Sequence, residues 1–269
     1  MSLNKEQEMR YSRHFVLKEI GLSGQKKLLS SSVLVIGAGA IGSAAIIYLA
    51  SAGIGTLGIA DFDKVDLSNL QRQVIHRNNR TGMYKTESAA LSVSELNPDV
   101  NVIVHNSGVN PDNIDEMIKK YDFILDCTDR FETKFLINDA CVIAKKPYCH
   151  AGVVRFTGQV MTYVPQKGPC LRCLLGYIPA AEDTQYCSEV GVIGAATGVI
   201  GSIQALEAIK YILGIGQLLC GKILSFDGLN INIRISNISV NDPECKVCGI
   251  RPSIFSVREN TNEYKIPVK

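Results

Sequence analysis

Short apolar runs alternate with amphipathic stretches along most of this chain. Val33–Ile36 is an unbroken apolar run that stops at glycine, the pattern of a strand buried on both faces of a parallel sheet. Thr56–Ala60, Val102–His105, Phe123–Asp126 and Pro147–Ala151 repeat it. Between these runs, helical spacing is expected over Ile41–Ala52, closed by Gly53, over Thr86–Leu96, stopping before "NPD", and over Asp112–Lys120 and Glu132–Lys145. Ahead of them, residues 5–30 read as amphipathic helix with a break at Gly21–Gly24 and a polar patch, "RYSRH", at Arg10–His14.

Strand and helix alternate over the first 150 residues, which predicts a Rossmann-like, doubly wound, mostly parallel α/β sheet. The rhythm then changes. "TGQVMTYV", "KILSFDG" and "INIRISN" predict antiparallel strands that extend the sheet, with a turn at Gly228–Asn230 and a helix at Gly198–Leu213 in between. No internal repeat or low-complexity linker divides the chain, so a single unit over 1–269 is expected.

Charge alters this picture little. Lysine and arginine number 28 against 26 aspartate and glutamate, a net +2 that gives no reason to expect nucleic acid or an anionic membrane as partner. The N-terminus is charged and lacks the apolar segment of a signal peptide. The longest apolar stretch, Val190–Ala205, is interrupted by glycines and too short to span a bilayer. A cytoplasmic location is the expectation.

Candidate chemistry begins at "GAGAIG". Gly37 permits a tight turn, Gly39 lets backbone approach phosphate, and Gly42 lets the helix pack on the strand. Ala40 occupies the fourth position of this loop. Asp61, at the end of the next strand, is placed to accept hydrogen bonds from a ribose. These features alone leave open a dinucleotide and a triphosphate. Arg72 and Lys85 offer charges suited to phosphates, Asn69 and Gln71 can orient ribose or phosphate oxygens, and Asp129 in "DCTDR" could hold Mg²⁺ at a strand end.

Nine cysteines without a secretory signal argue against a disulfide framework. Cys170 and Cys173 in "CLRC", with Cys245 and Cys248 in "CKVC", predict a closed structural Cys₄ zinc site. Cys187 lies in the polar stretch "EDTQYCSEVGV", where a helix start can stabilise a thiolate. Cys127, Cys141 and Cys149 fall within strand or helix patterns and are expected to pack as small apolar groups.

Together, "RYSRH", "GAGAIGS", "DFDKVDLSNLQRQ", Lys85, "DCTDR", "CLRC", "GVIGSIQALEAIK" and "CKVC" resemble the ThiF/MoeB/HesA enzymes, bacterial relatives of the ubiquitin-activating enzymes. The resemblance covers nearly the whole chain and implies ATP in place of NAD(P), with an acyl-adenylate as product. By resemblance, Asp61 is the ribose ligand, Asn69, Arg72 and Lys85 serve the polyphosphate, and Asp129 holds magnesium. Arg13 matches an arginine finger that reaches the triphosphate from the partner subunit of a homodimer. Cys187 matches a crossover-loop cysteine that some members join covalently to the carrier or use in sulfur transfer.

The implied substrate is the C-terminal glycine of a ubiquitin-like sulfur carrier ending in Gly-Gly, ThiS- or MoaD-like, in thiamine or molybdopterin biosynthesis, with a sulfurtransferase as a further partner. In those terms the chain divides into an N-terminal arm (1–30), a nucleotide-binding half (31–155), a carrier-binding half with the crossover loop and zinc site (156–250), and a tail (251–269). Ala40 stands where many relatives have glycine, and Arg130 where asparagine is frequent. The rival reading is an NAD(P)-binding oxidoreductase on the same glycine loop.

Overall fold

The computed structural model describes residues 3–178, 190–238 and 242–264. Three short helices open the chain: α1 (Lys5–Arg10), α2 (Ser12–Phe15) and α3 (Gly21–Leu29). The wound region follows as β1 (Ser32–Ile36), α4 (Ala40–Ala52), β2 (Thr56–Ala60), α5 (Lys85–Leu96), β3 (Asn101–His105), α6 (Ile114–Ile118), β4 (Phe123–Asp126) and α7 (Phe131–Ile143). Next come β5 (Tyr148–Val154), β6 (Thr157–Tyr163), α8 (Leu171–Leu175), α9 (Gly194–Leu213), β7 (Lys222–Asp227) and β8 (Asn232–Asn237).

The strands form one eight-stranded sheet in the order β3-β2-β1-β4-β5-β6-β7-β8. The first five are parallel and the last three antiparallel, as the change of rhythm near residue 150 predicts. From β1 the chain winds outward to β3, then returns to β4 on β1's other side. That reversal opens a crevice at the carboxyl ends of β1 and β4, where open α/β sheets bind ligands.

Both faces of β1 are covered, which accounts for its continuous apolar run. Val33 and Val35 pack in a core that includes Leu49 of α4 and Ile200 of α9. Leu34 and Ile36 face the opposite core, with Phe135 and Ile137 of α7. Fully burying such a side chain contributes roughly 1.5–3 kcal/mol.

The N-terminal break falls over residues 16–20, and Gly21 and Gly24 belong to α3. A Cβ at Gly24 would stand 3.1 Å from Ile20 and 3.2 Å from Leu213, so the missing side chain lets α3 close on α9. Helix α9 begins at Gly194, four residues before the sequence pattern announces it. Tyr11 is buried between the helices, its hydroxyl accepting from Asn97 Nδ2 at 2.8 Å, and this anchors the arm against the end of α5.

Candidate nucleotide site and cysteine cluster

Gly37 adopts φ +97°, and a Cβ there would meet the Cys127 carbonyl at 2.8 Å. Only glycine makes this turn without strain. Gly42 allows no side chain either, because its Cβ would stand 1.9 Å from the Gly37 oxygen. Helix α4 therefore starts directly at the turn, capped by Gly39 with no side-chain hydrogen bond. Its first amide groups are left for an anion.

The turn is braced from both sides. Asp61 Oδ2 accepts the Ala38 N–H at 2.8 Å, and Oδ1 accepts the Asp63 N–H at 2.9 Å. Burial outweighs the nearby Lys85 charge and these hydrogen bonds, and pushes the Asp61 carboxyl above its ordinary range. Lys85 is buried and forms an ion pair with Asp63 at 2.7 Å.

A cavity of about 910 Å³ lies over this turn, lined by Gly37, Gly39, Ala40, Asp61, Asn69, Arg72, Lys85 and Asp129 among others. Asn69 and Asp66 cap a short 3₁₀ turn reciprocally, which fixes the segment that carries Arg72. Arg72 donates to the Ser68 carbonyl at 3.0 Å. Asp129 and Arg130 are exposed at the cavity rim.

Three sequence-predicted residues of this site stand outside the cavity lining. Gly42 acts beneath the turn through packing. Gln71 is exposed outside this cavity, whereas Gln73, two positions on, lines it. Arg13 is exposed on α2 and does not line the cavity of its own chain. Cys187 lies outside the described residues.

Sequence reasoning missed Gln73, His76, Lys134 and His150. Gln73 is 4% exposed, and its Oε1 has no partner among the described residues. A buried acceptor left free in a cavity wall fits a ligand that donates to it. His76 and His150 gave no signal because they match no ligand spacing, and Lys134 reads as an ordinary helical lysine.

Asp126, at the carboxyl end of β4, is fully buried. Its Oδ2 accepts from His150 Nδ1 at 2.8 Å and faces Lys134 Nζ at 3.4 Å; its Oδ1 accepts from Thr128 N and Oγ1 at 3.1 and 2.7 Å. Burial alone would raise its carboxyl, but Lys134, His150 and Thr128 together hold it at about 2. Cys127, Cys141 and Cys149 are all buried, as their positions predict. Cys127 donates to Gln204 Oε1.

Beyond β5 the cavity continues over the antiparallel strands along one sheet face. Cross-strand register aligns Gly152, Gln159, Ser225 and Arg234 in one row, and Val154, Thr157, Asp227 and Asn232 in the next. All eight line the cavity.

Packed in the same core as α7, the sulfurs of Cys170, Cys173, Cys245 and Cys248 lie within 4.8 Å of one another. Separations of 3.9, 3.7, 3.3 and 3.4 Å bracket the roughly 3.8 Å that tetrahedral Zn–S bonds of ~2.3 Å require. The cluster therefore fits zinc. Beside it, Arg172 forks onto Asp139 at 2.8 and 2.7 Å and reaches Glu263 at 2.6 Å, so α8, α7 and the C-terminal segment are joined by charge as well as by thiols.

Several known proteins are similar to this chain. "Adenylyltransferase and sulfurtransferase MOCS3" of Drosophila persimilis is 42% identical over 252 residues, covering 94% of this chain and 56% of that protein. The MOCS3 of Aedes aegypti is 43% identical over 252 residues, covering 94% and 58%. The chain thus spans just over half the length of these relatives. Among solved structures, E. coli MccB with MccA-N7isoASN superposes with a TM-score of 0.77 at 26% identity, over 91% of this chain and 76% of that one. E. coli MccB with ATP gives 0.77 at 26%, over 89% and 74%. Residues 11–247 match the ThiF family description, and the chain belongs to the ThiF family.

Proposed function

We propose that this protein adenylates the C-terminal glycine of a small ubiquitin-like sulfur carrier, ThiS- or MoaD-like, and so prepares it for thiocarboxylation. The observation that carries this reading is the continuity of the cavity: phosphate-binding turn at one end, registered rows across β5–β8, polar on β6–β8, at the other. An extended peptide ending in Gly-Gly can lie over those rows with its carboxylate toward the phosphate-binding turn. The relatives' names support adenylyl and sulfur transfer, and the likeness to MccB with ATP supports the nucleotide.

In this reading the carrier carboxylate attacks the α-phosphate of ATP and pyrophosphate leaves. The nucleophile is already ionised at neutral pH, so no base is needed. Asp61 takes the ribose, the α4 amide groups and Asn69 orient phosphate oxygens, and Arg72 and Lys85 neutralise charge that develops on the leaving group. Asp129, at the cavity rim, would hold magnesium, which would supply positive charge to the triphosphate. Arg13 from the partner subunit of a homodimer completes the triphosphate site, and Cys187 serves later sulfur transfer.

ATP–pyrophosphate exchange tests the proposal directly. It should appear on addition of a carrier ending in Gly-Gly and vanish when the terminal glycine is deleted. Exchange indifferent to the carrier, or reduction of a nicotinamide instead, would remove the proposal.

A further inference from the structure

We propose that His150, held by Asp126, is the general base of the second half-reaction, taking the proton from a thiol or hydrosulfide as it displaces AMP from the acyl-adenylate. This rests on the adenylation reading, in which the first half-reaction transfers no proton to the protein and the second has one to remove.

The geometry fixes the ring. An ionised Asp126 can only accept, so the Nδ1 facing it at 2.8 Å carries the proton. The neutral ring then keeps its lone pair on Nε2. His150 lines the cavity, and among the described residues Nε2 has no hydrogen-bond partner. Asp126 is itself immobilised by Thr128 and Lys134, whose ammonium also donates to the Ala151 carbonyl at 2.6 Å.

Among the described residues, the charged groups around the ring are Asp126 from β4 and Lys134 from α7. Its cross-strand neighbour on β6 is Met161, and burial keeps the thiols of Cys127 and Cys149 protonated. Burial and Lys134 outweigh Asp126 and lower the His150 pKa, which leaves the imidazole free to accept at neutral pH. A carboxylate buried beside the ring then stabilises the imidazolium once it forms, the arrangement that activates nucleophiles elsewhere.

Position adds a second argument. Strand β5 lies between the β1–β4 crevice and the Gln159–Ser225–Arg234 row. A tail lying on that row reaches the nucleotide by crossing β5, so its activated end passes His150. There sulfur bonds to the acyl carbon, and the bond from that carbon to the phosphate-bridging oxygen breaks. AMP leaves with the electron pair, and the sulfur-bound proton moves to Nε2. No oxidant or reductant is needed.

The test uses the full chain with a carrier ending in Gly-Gly, ATP, Mg²⁺ and pyrophosphatase. AMP release is followed for small thiols graded in acidity, each rate divided by that protein's own adenylate level. His150→Gln should slow release by weakly acidic alkyl thiols about 10²-fold and leave aryl thiols, already ionised, nearly as fast as with the unaltered protein. Uniform slowing across the series would reduce His150 to a shaper of the cavity and overturn the proposal. Should the variant not fold, the unaltered protein decides. Its alkyl-thiol reaction should show a solvent deuterium isotope effect that the aryl-thiol reaction lacks, and equal effects would overturn it. Carrier-dependent pyrophosphate exchange is measured in a separate reaction without thiol or pyrophosphatase, so failure of adenylation is seen separately and would take this proposal with it.

Discussion

His76 Nε2 donates to the backbone carbonyl of Ala38 across 3.0 Å, inside the glycine turn, while its Nδ1 accepts from the Ser88 hydroxyl at 2.9 Å. The Ala38 N–H goes to Asp61, so both groups of this residue are fixed by side chains from other elements. Burial, with Lys85, Arg80 and Arg77 nearby, outweighs the Ala38 carbonyl and lowers the His76 pKa to about 4. An unfolded histidine titrates near 6.5.

Between those values the unfolded chain binds a proton that the folded one refuses. The stability from a neutral His76 is therefore complete above pH 6.5 and is lost as pH falls toward 4, by up to about 3 kcal/mol. In His76→Gln the amide can still donate to Ala38 but cannot titrate. Urea unfolding at pH 7 and pH 5 should show the unaltered protein losing more stability than the variant. Equal losses would detach His76 from the acid sensitivity.

The cysteine cluster predicts about one zinc per chain by elemental analysis. Cys245→Ser should lower that content well below one and reduce the melting temperature, because Cys245 is buried against Cys170. Chelation of the unaltered protein should lower its melting temperature likewise. Metal-free protein that melts unchanged would leave the four thiols without a structural metal.

Asp129→Ala should abolish carrier-dependent pyrophosphate exchange while the circular dichroism spectrum and melting temperature persist. The side chain is exposed at the rim and makes no hydrogen bond or ion pair among the described residues. Asp126 cannot replace it, since its oxygens are committed to Thr128, Lys134 and His150. Exchange at the unaltered rate would exclude Asp129 from the mechanism.

The parts legible in the sequence are those whose chemistry is local. Gly37 and Asp61 follow the two strands of one strand–helix–strand unit, and each C-x-x-C pair signals metal within four residues. The Asp126–Lys134–His150 cluster carries no such signal, because its members come from β4, α7 and β5. Only the parallel register that sets Asp126 beside His150 brings them together. Helix α8 is five residues long, too short for an apolar period to show. The misplaced N-terminal break has a similar origin: Gly24 looks like a helix breaker until Leu213, far along the chain, is seen to need its space.

Arg13 provides a test of assembly. It is exposed and does not line its own chain's cavity, and the proposed function assigns it to the other subunit of a two-fold dimer. Arg13→Ala homodimers should be nearly inactive, since loss of one such charge costs about 3–4 kcal/mol of transition-state stabilisation. Mixing Arg13→Ala with Asp129→Ala chains should restore activity, because each heterodimer has one site with both defects and one with neither. A mixture that stays inactive with heterodimers present would mean that the arm serves its own subunit.

The unbroken sheet also acts as a ruler. Four strand intervals separate β4, which bears Asp126, from β8, which bears Arg234. At about 4.8 Å each they amount to roughly 19 Å. An extended chain covers ~3.3–3.6 Å per residue. Any protein that rests its folded body against β8 and delivers its last carboxylate to the nucleotide must therefore end in about six residues free of other structure, with little tolerance for a shorter tail.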